Sequence, residues 1–334
     1  MPKRPTIYDV AQQAGVAAST VSRAYARPGR VSAQTARAIF EAAEKLGYRT
    51  DRLDGRGPGD ARATKAIGLV VADVTNPFYG EIIKGAYEAA RAEGYMLILS
   101  HTNESPELER ESIEGELSAV DALVIASSRM SDSALRMIAK QKATVLLNRT
   151  IPEVSCLISD NLRGVRRAAE HLGSLGHRSI LYIAGPDESW PEGVRWRALR
   201  EAGTELELDV RRIGPNPPTV PAGFRIARRV ADGGATAVLA YNDQLAIGVM
   251  KGLRTLGLRV PGDVSVVGFD NIQFGEIIEP ALTTVAAPLR HMGATGVRNC
   301  IAVLHGAQPS APPLVLPVKF IERQSTGPHP SRTG

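Results

Sequence analysis

Seven polar and aromatic side chains follow apolar segments that are typical of buried β-strands. They are Asp73, Phe78, Asn148, Trp190, Arg195, Asn242 and Asp270. Carboxylates and amides form hydrogen bonds with hydroxyl groups, and aromatic rings pack against the C–H faces of sugars, so this set suits a small polyhydroxylated ligand. Helix N-capping is an equally good explanation for Asn161 and Asp243, but it does not account for Arg195 or Trp190, which cap no helix.

The elements that position these residues alternate between strand and helix from residue 66 onward. Such alternation indicates parallel sheets covered by helices on both faces, and so many units over about 260 residues predict two doubly wound halves. Ligands bind such sheets beyond the carboxyl ends of the strands, so we expect the site in a cleft between the halves. The predicted strands are Ala66–Ala72, Met96–Ser100, Ala122–Ala126, Thr144–Leu147, Cys156–Ile158, Ser179–Ala184, Ala237–Ala240, Ser265–Phe269 and Leu314–Lys319.

A different pattern occupies the first 50 residues. Thr6 and Asp9 have the spacing of a shortened capping box, and Gly15 can end the helix that they begin. A second helix, from about residue 17 to 24, buries Val21 and turns Ala18, Ser19, Ser22 and Arg23 outward, which is the pattern of a helix-turn-helix that reads a DNA major groove. A third helix has Ser32 as its N-cap, an inner face of Ala36, Ile39, Ala43 and Leu46, and Gly47 as its stop signal. The alternative is a small helical cap on an enzyme.

Charge favours the nucleic-acid interpretation. Residues 1–50 hold eight basic and three acidic side chains, and this excess equals the net charge of +5 of the whole chain. A local positive excess on a helical module is the electrostatic footprint of phosphate contact. Residues 51–334 are balanced in charge.

Composition places the chain among ordinary globular proteins. It has 334 residues, 43% hydrophobic and 22% charged, and no apolar run approaches the roughly 20 residues needed to span a membrane. No hydrophobic signal core follows the basic N-terminus, so we expect no export. Cys156 and Cys300 lie far apart in apolar segments, which predicts buried free thiols and fits the cytoplasm.

Several motifs, in this order, resemble those of the lactose/galactose repressor (LacI/GalR) family of bacterial transcription regulators. They are Thr6-Ile-Tyr-Asp-Val-Ala, Thr20-Val-Ser-Arg23, Asp73-Val-Thr-Asn-Pro-Phe-Tyr79, Glu170-His-Leu, Leu175-Gly-His177, Tyr241-Asn-Asp243, Val260-Pro-Gly-Asp-Val-Ser-Val-Val-Gly-Phe-Asp270 and Leu282-Thr-Thr-Val285. The resemblance covers about residues 6–326. It implies a DNA-binding headpiece, a hinge, and a core similar to periplasmic sugar-binding proteins, in which the chain crosses between subdomains near residues 160–164, 286–292 and 320–323.

The resulting domain prediction has four parts. Residues 1–50 form the headpiece, and residues 51–65, rich in glycine, proline and charge, form a hinge or linker. Residues 66–326 form an effector-binding and dimerisation core, with an N-subdomain of about 66–161 and 291–321 and a C-subdomain of about 162–290. Residues 327–334 are expected to be a disordered tail.

The resemblance also assigns residue roles in the headpiece. Ala18 and Ser19 match positions that read base edges, and Arg23 matches an arginine that reads guanine. The positions that hold phosphates, and so fix register without reading sequence, are Thr6, Tyr8, Thr20, Ser22, Ser32, Thr35 and Tyr48.

In the core, Arg195, Asn242 and Asp270 match family residues that grip ligand hydroxyls or carboxylates, whereas Asp73, Phe78, Asn148 and Trp190 match less closely. We expect Arg195 and Asp270 to face one another across the cleft and clamp a small polar effector, a sugar or sugar derivative. Whether the effector induces or co-represses is left open by these residues.

The hinge departs from the family. Members usually carry a segment that folds on DNA and wedges a leucine into the minor groove, but here the wedge position is Gly57 within a Gly-Pro-Gly segment that opposes a helix. Either Leu53 takes the place of the wedge or the protein docks without one. The second hypothesis predicts that Leu53→Ala costs no more than about 0.5 kcal/mol of DNA affinity.

A ligand-binding protein without DNA binding and an enzyme are the alternative functions. The chain lacks a Gly-x-Gly-x-x-Gly after the first strand, a Walker loop, a Gly-x-Ser-x-Gly and any Cys or His cluster with metal-ligand spacing, so we expect no enzyme, no metal and no cofactor. One headpiece contacts too few bases for useful specificity, so a homodimer on a pseudo-palindromic operator is expected. The C-terminal residues have no apolar heptads for a coiled coil.

Overall fold

The computed structural model describes residues 5–26, 31–46, 63–309 and 312–329. The chain divides into two units, residues 1–63 and residues 64–334.

The N-terminal unit contains three helices around a small core. They are α1 (Ile7–Ala14), α2 (Ala18–Ala26) and α3 (Ala33–Leu46). The Asp9 carboxylate accepts hydrogen bonds from the backbone N–H and the hydroxyl of Thr6, and Gly15 ends α1 with φ +68°, as predicted. The buried side chains are Val10, Ala11, Val21, Ala24, Ile39, Ala42 and Ala43. The predicted helix-turn-helix is confirmed, while Tyr48, Leu53 and Gly57 lie outside the described residues.

The first sheet of the core contains six parallel strands in the order β11-β5-β4-β3-β1-β2. The strands are β1 (Ala66–Val71), β2 (Met96–His101), β3 (Ala122–Ala126), β4 (Ala143–Leu147), β5 (Ser155–Ser159) and β11 (Leu314–Leu316). Successive side chains along each strand point to opposite faces of the sheet, so both faces are apolar and need a covering layer. Helices α4 (Pro77–Ala92) and α12 (Leu289–Leu304) cover one face. The other face is covered by α5 (Pro106–Glu116) and α6 (Asp132–Gln141).

The second sheet has the order β12-β10-β9-β8-β6-β7 and is parallel except for β12. Its strands are β6 (Ser179–Ile183), β7 (Asp209–Ile213), β8 (Ala237–Ala240), β9 (Ser265–Asp270), β10 (Thr283–Ala286) and β12 (Lys319–Ile321). Its helices are α7 (Asn161–Ser174), α8 (Trp190–Glu205), α9 (Val220–Asp232), α10 (Asp243–Thr255) and the short α11 (Phe274–Ile277). The predicted pair of doubly wound α/β halves is therefore confirmed.

Strand membership locates the three crossings between the halves. The chain leaves the first sheet after Ser159 and leaves the second after Ala286, inside or next to the predicted ranges. The third crossing was predicted at 320–323, but it lies at residues 317–318, between β11 and β12. The predicted single strand Leu314–Lys319 is two strands because Pro317 cannot donate to a strand ladder.

Two other expectations about the core were wrong. Strands β7 and β10 were not predicted, because Asp209–Ile213 is a charged, half-exposed edge strand and Thr283–Ala286 is short and threonine-rich. Residues 327–329, assigned to a disordered tail, are bonded to the second half. The Gly327 N–H donates to Ser265 Oγ (3.0 Å) and the His329 N–H donates to the Leu175 carbonyl (2.8 Å). Residues 330–334 lie outside the described residues.

Candidate functional sites

A small cavity lies between the carboxyl ends of the two sheets. The first half supplies Asn76, Phe78, Tyr79, Glu104, Ser127, Arg129 and Asn148, and the second supplies Pro191, Arg195, Pro218, Tyr241, Asn242 and Asp270. The free volume is about 20 Å³, which is room for about one water molecule. The cleft is therefore closed and filled by its own side chains, and any larger ligand requires the halves to separate.

Arg195 is held by contacts on three sides. Its Nε donates to Asn161 Oδ1 (2.9 Å), Nη1 donates to the Tyr241 carbonyl, and the guanidinium lies 3.5 Å from the centre of the Phe269 ring. Nη2 lies 3.8 Å from Asp270 Oδ1, which is an ion pair beyond hydrogen-bond distance. These contacts fix the guanidinium and leave Nη2 turned toward Asp270.

The expectation that Arg195 and Asp270 face one another across the cleft is wrong. Arg195 is on α8 and Asp270 ends β9, and both elements belong to the second half. The two residues are neighbours because parallel strands and the helices that follow them bring their carboxyl-end residues to one edge.

Asp270 is the acidic group that the second half contributes to the cavity. It is 6% exposed and has φ +116°, and its carboxylate receives no hydrogen bond from any donor among the described residues. Burial raises the pKa of Asp270 well above its usual range, while Arg195 opposes that shift and the neighbouring Asp243 adds to it. A buried carboxylate without a hydrogen bond is costly unless a ligand donates one.

Three further predicted residues line the cavity with Arg195 and Asp270. Phe78 supplies an aromatic wall on α4, and Asn148 follows β4 with φ +57°. Asn242 both lines the cavity and caps α10, since its Oδ1 accepts from the Leu245 N–H (2.9 Å). Capping and ligand contact are thus compatible at this position.

Asp73 and Trp190 lie outside the closed cavity. Asp73 lines a neighbouring groove of about 460 Å³, and its Oδ1 accepts hydrogen bonds from the N–H and hydroxyl of Thr75. Trp190 is half-buried at the start of α8, and it is the adjacent Pro191 that reaches the cavity.

Asn161 and Asp243, the two candidates for helix capping, have other roles. Asn161 begins α7 one residue after the N-cap, Asp160, and positions Arg195. Asp243 is fully buried and accepts from the Thr284 hydroxyl (2.6 Å) and the Ile272 N–H (2.8 Å). Burial raises the pKa of Asp243 to about 7, although these hydrogen bonds lower it.

The sequence reasoning missed an ion pair in the first half. Arg129 Nε donates to Glu104 Oε2 (2.7 Å), and Arg129 Nη1 donates to the Ser127 carbonyl (3.1 Å). Glu104 follows β2 and Arg129 follows β3, so the strand-end rule that found Asn148 could also have found them. The pair faces the same cavity as Arg195 and Asp270.

Backbone strain is concentrated at the strand ends around the cavity. Glu104, Ser127, Asn148 and Asp270 all have positive φ values between 57° and 116°. Side chains with a Cβ rarely adopt this conformation, and it clusters at ligand sites. Here it turns the chain so that these side chains point into the cleft.

In the headpiece, the predicted DNA-binding residues lie on the surface. Ser19 and Arg23 are exposed and Ala18, Thr20 and Ser22 are half-buried, whereas Val21 is fully buried. The Arg23 side chain bends back along the helix, with Nε donating to the Ser19 carbonyl (3.2 Å). Tyr8 is 73% exposed, and Thr6, two residues earlier in the chain, is also exposed. The Ser32 and Thr35 hydroxyls lie 2.7 Å apart at the start of α3.

Comparison with known proteins identifies both units. Residues 6–51 match the model of bacterial regulatory proteins of the lacI family, and residues 169–326 match a periplasmic binding protein-like domain. The chain is 32% identical over 335 residues to the HTH-type transcriptional regulator DegA of Bacillus subtilis, covering 97% of this chain and 99% of that protein. The chain belongs to the LacI/GalR family of bacterial transcriptional regulators.

Solved structures of family members agree with this assignment. The lac repressor dimer bound to operator and the anti-inducer ONPF superposes with a TM-score of 0.73 at 26% identity, over 97% of this chain and 100% of that one. A complex of the regulator CelR with cellobiose gives 0.71 at 30% identity, over 96% and 100%. Proteins of the LacI/GalR family are transcriptional regulators and not enzymes.

Two absences apply to residues 5–26, 31–46, 63–309 and 312–329. No helix there is long and apolar enough to cross a membrane. Within the same ranges, no three His, Cys, Asp or Glu side chains are grouped as metal ligands.

Proposed function

We propose that this LacI/GalR-family regulator is a ligand-responsive repressor. It binds a pseudo-palindromic operator as a homodimer, and a small polar effector, a sugar or sugar derivative, occupies the cleft and controls DNA affinity. The observation that carries the proposal is the closed cavity lined by both halves of the core, with the buried Arg195–Asp270 pair at its wall.

The cavity supports an effector role because the residues that would contact a ligand are the same residues that meet when the two halves close. Each half supplies polar side chains to one small volume, so a ligand there contacts both halves at once. A ligand that binds the closed form more tightly than the open form shifts the equilibrium between them. The difference in affinity between the two forms therefore couples effector binding to the conformation of the core.

The burial pattern of the second headpiece helix, α2, supports the proposal that the headpiece binds DNA. Val21 is fully buried, whereas Ser19 and Arg23 on the same helix are exposed. Arg23 can bind guanine through two hydrogen bonds, and the small Ala18 can contact a thymine methyl group. The roles of Thr6, Tyr8, Thr20, Ser22, Ser32 and Thr35 at phosphates, and that of Tyr48, are part of this proposal.

Exposed apolar side chains on the core support a homodimer. Met96 and Leu99 on the edge strand β2 are 65% and 43% exposed, and Tyr87 on α4 is 54% exposed. Long apolar edge strands are normally covered, since uncovered edges promote aggregation. A second copy that covers β2 would form a homodimer, and a homodimer carries the two headpieces that a pseudo-palindrome requires.

The buried free thiols of Cys156 and Cys300 fit a cytoplasmic protein, where operator DNA is found. For both thiols, burial raises the pKa, so neither is a reactive thiolate.

Three measurements on the full-length protein test the proposal. DNA fragments that the protein selects from a random pool should share a pseudo-palindrome, and light scattering should give a dimer at micromolar concentration. A thermal-shift screen of sugars, sugar acids and nucleosides should yield at least one compound that raises Tm, because ligand binding to the native state stabilises it. The proposal would be contradicted if the selected DNA fragments shared no sequence. It would also be contradicted if the protein were a monomer in light scattering and still bound the selected DNA with the affinity of a dimer.

A further inference from the structure

We propose that the effector is a neutral polyhydroxylated molecule, held by two arginine–carboxylate clamps of which Arg129–Glu104 is the second, and that the cleft excludes charged analogues. This inference rests on the proposed effector role of the cleft and specifies the chemical class of the ligand. It also assigns Arg129 and Glu104 as specificity-determining residues.

The two clamps lie on opposite halves of the core. Arg129–Glu104 belongs to the first half and Arg195–Asp270 to the second, and all four residues line the same cavity. Arg129 has a side chain only 3% exposed, and its backbone N–H donates to the buried Glu109 carboxylate (2.8 Å). The Arg129–Glu104 clamp is therefore as firmly positioned as the Arg195–Asp270 clamp.

Each clamp offers a donor and an acceptor side by side. A guanidinium only donates and an ionised carboxylate only accepts, whereas a hydroxyl does both. Two neighbouring hydroxyls of one sugar can therefore bind one clamp, one of them accepting from the arginine and the other donating to the carboxylate. A molecule with hydroxyl pairs at both ends satisfies both clamps.

The charges in the chamber oppose an ionic ligand of either sign. Glu104 Oε2 lies 2.7 Å from Arg129 Nε, so the first half offers an anion no unpaired positive charge. An anion that approached Arg129 would meet Glu104 as well, and a cation would meet two buried guanidinium groups. Burying an unpaired charge is far more costly than burying a hydrogen-bonded hydroxyl.

The groove at the mouth of the cleft adds an independent filter against anions. Four carboxylates line it: Asp73, Glu104, Asp187 and Glu188. Glu104 is paired with Arg129 and Asp187 with Arg212 (2.8 Å), while Asp73 and Glu188 have no ion-pair partner among the described residues. The groove shares Glu104 and Pro218 with the inner cavity, so a ligand that enters this way passes a negative surface.

The test compares matched neutral and acidic sugars on the full-length protein. The pairs are glucose with glucuronate, galactose with galacturonate, and cellobiose with cellobionate, and Kd is measured by thermal shift and calorimetry. We expect the compounds that bind to be neutral, with each acidic counterpart at least about 10-fold weaker. An acidic sugar that binds as tightly as its neutral counterpart, or more tightly, would overturn the inference while leaving the effector role intact.

Two variants sharpen the test. Glu104→Gln leaves Arg129 without its counter-charge, so the ratio of acidic to neutral affinity should rise about 10-fold. Glu205→Gln makes the same charge change at an exposed residue of α8 that pairs with Arg166, and should leave the ratio unchanged. An unchanged ratio in Glu104→Gln would also overturn the inference. If no sugar or sugar acid binds the wild-type protein, the sugar-effector function itself is wrong, and this inference falls with it.

Discussion

The headpiece and the cleft hold their functional residues in opposite ways. In the headpiece, Tyr8 and Arg23 are exposed on helices whose inner faces form a core of small side chains. In the cleft, Arg195 and Asp270 are each 6% exposed, and the cavity beside them has room for about one water molecule. The proposed DNA contact therefore uses a surface that already exists, whereas the proposed effector requires the cleft to open and close. Substitutions in the headpiece should change affinity alone, and those in the cleft should change affinity and stability together.

The largest effect should come from Arg195→Ala. Loss of the guanidinium removes the ligand contact and leaves Asp270 buried without its counter-charge, which costs about 3 kcal/mol when a buried pair is broken. We expect effector affinity to fall at least about 100-fold, with operator affinity at low temperature unchanged. Calorimetry and DNA binding by anisotropy measure these effects, and Arg197→Ala, an exposed position on the same helix, is the control. A normal effector response in Arg195→Ala would show that the site has been assigned to the wrong residues.

Helices α4 and α12 of the core approach each other closely at Gly85. A Cβ added at Gly85 on α4 would lie 1.9 Å from the Arg290 carbonyl oxygen, so Gly85→Ala should destabilise the core by about 1–3 kcal/mol. A Cβ at Gly80 on the same helix meets nothing within 4 Å, so Gly80→Ala should be neutral or stabilising by up to about 1 kcal/mol. Differential scanning calorimetry checks both. Equal effects of the two variants would contradict the close α4–α12 contact.

In the headpiece, Arg23→Ala should weaken operator binding by about 1–3 kcal/mol and relax selectivity at one base pair. Because Arg23 is exposed, Tm should not change. Arg91→Ala, on an exposed position of α4, alters the net charge equally and should leave operator affinity unchanged. Uniform weakening across all DNA sequences would instead make Arg23 a phosphate contact.

The last effect, the pH dependence of core stability, is the smallest when it is expressed per pH unit. Burial raises the pKa of Asp243 to about 7, so the folded protein retains a proton that the unfolded chain releases near pH 4. The folded state binds more protons between these values, so this group makes stability fall as pH rises from about 4 to 7, by at most about 1.4 kcal/mol per pH unit. Asp243→Asn removes that slope. The difference in unfolding free energy between wild type and variant should therefore decline from pH 5 to pH 7 and then level off; a pH-independent difference would contradict the raised pKa.

The sequence predicted the elements better than it predicted their connections. Apolar runs such as Ala122–Ala126 and the capping box of Thr6 and Asp9 are local signals, and both correspond to observed elements. The edge strand Asp209–Ile213 has no such signal, because a half-exposed strand needs few apolar residues. The third crossing lies earlier in the chain than predicted because Pro317 interrupts Leu314–Lys319 and ends β11 at Leu316.

At the cleft, sequence reasoning identified strand-end residues but could not identify pairs. Five of the seven predicted effector residues line the cavity, although their contact with an effector stays a prediction. The strand-end rule covers Arg129 and Glu104 as single residues, but their pairing has no sequence signal, because an ion pair between the ends of two strands has no fixed spacing in sequence. The prediction that Arg195 and Asp270 face one another across the cleft was wrong for the same reason, since only the three-dimensional order of the strands decides which ends are neighbours.

One measurement tests the central claim most directly: operator affinity of the full-length protein with and without the neutral sugar that raises its Tm. Fluorescence anisotropy on a DNA duplex selected by the protein itself gives both values in one experiment, with Arg195→Ala alongside. We predict that the sugar changes the Kd for DNA at least about 10-fold in the wild-type protein and leaves that of Arg195→Ala unchanged. Identical DNA affinity with and without the sugar in the wild-type protein would contradict the claim that the cleft controls the headpiece.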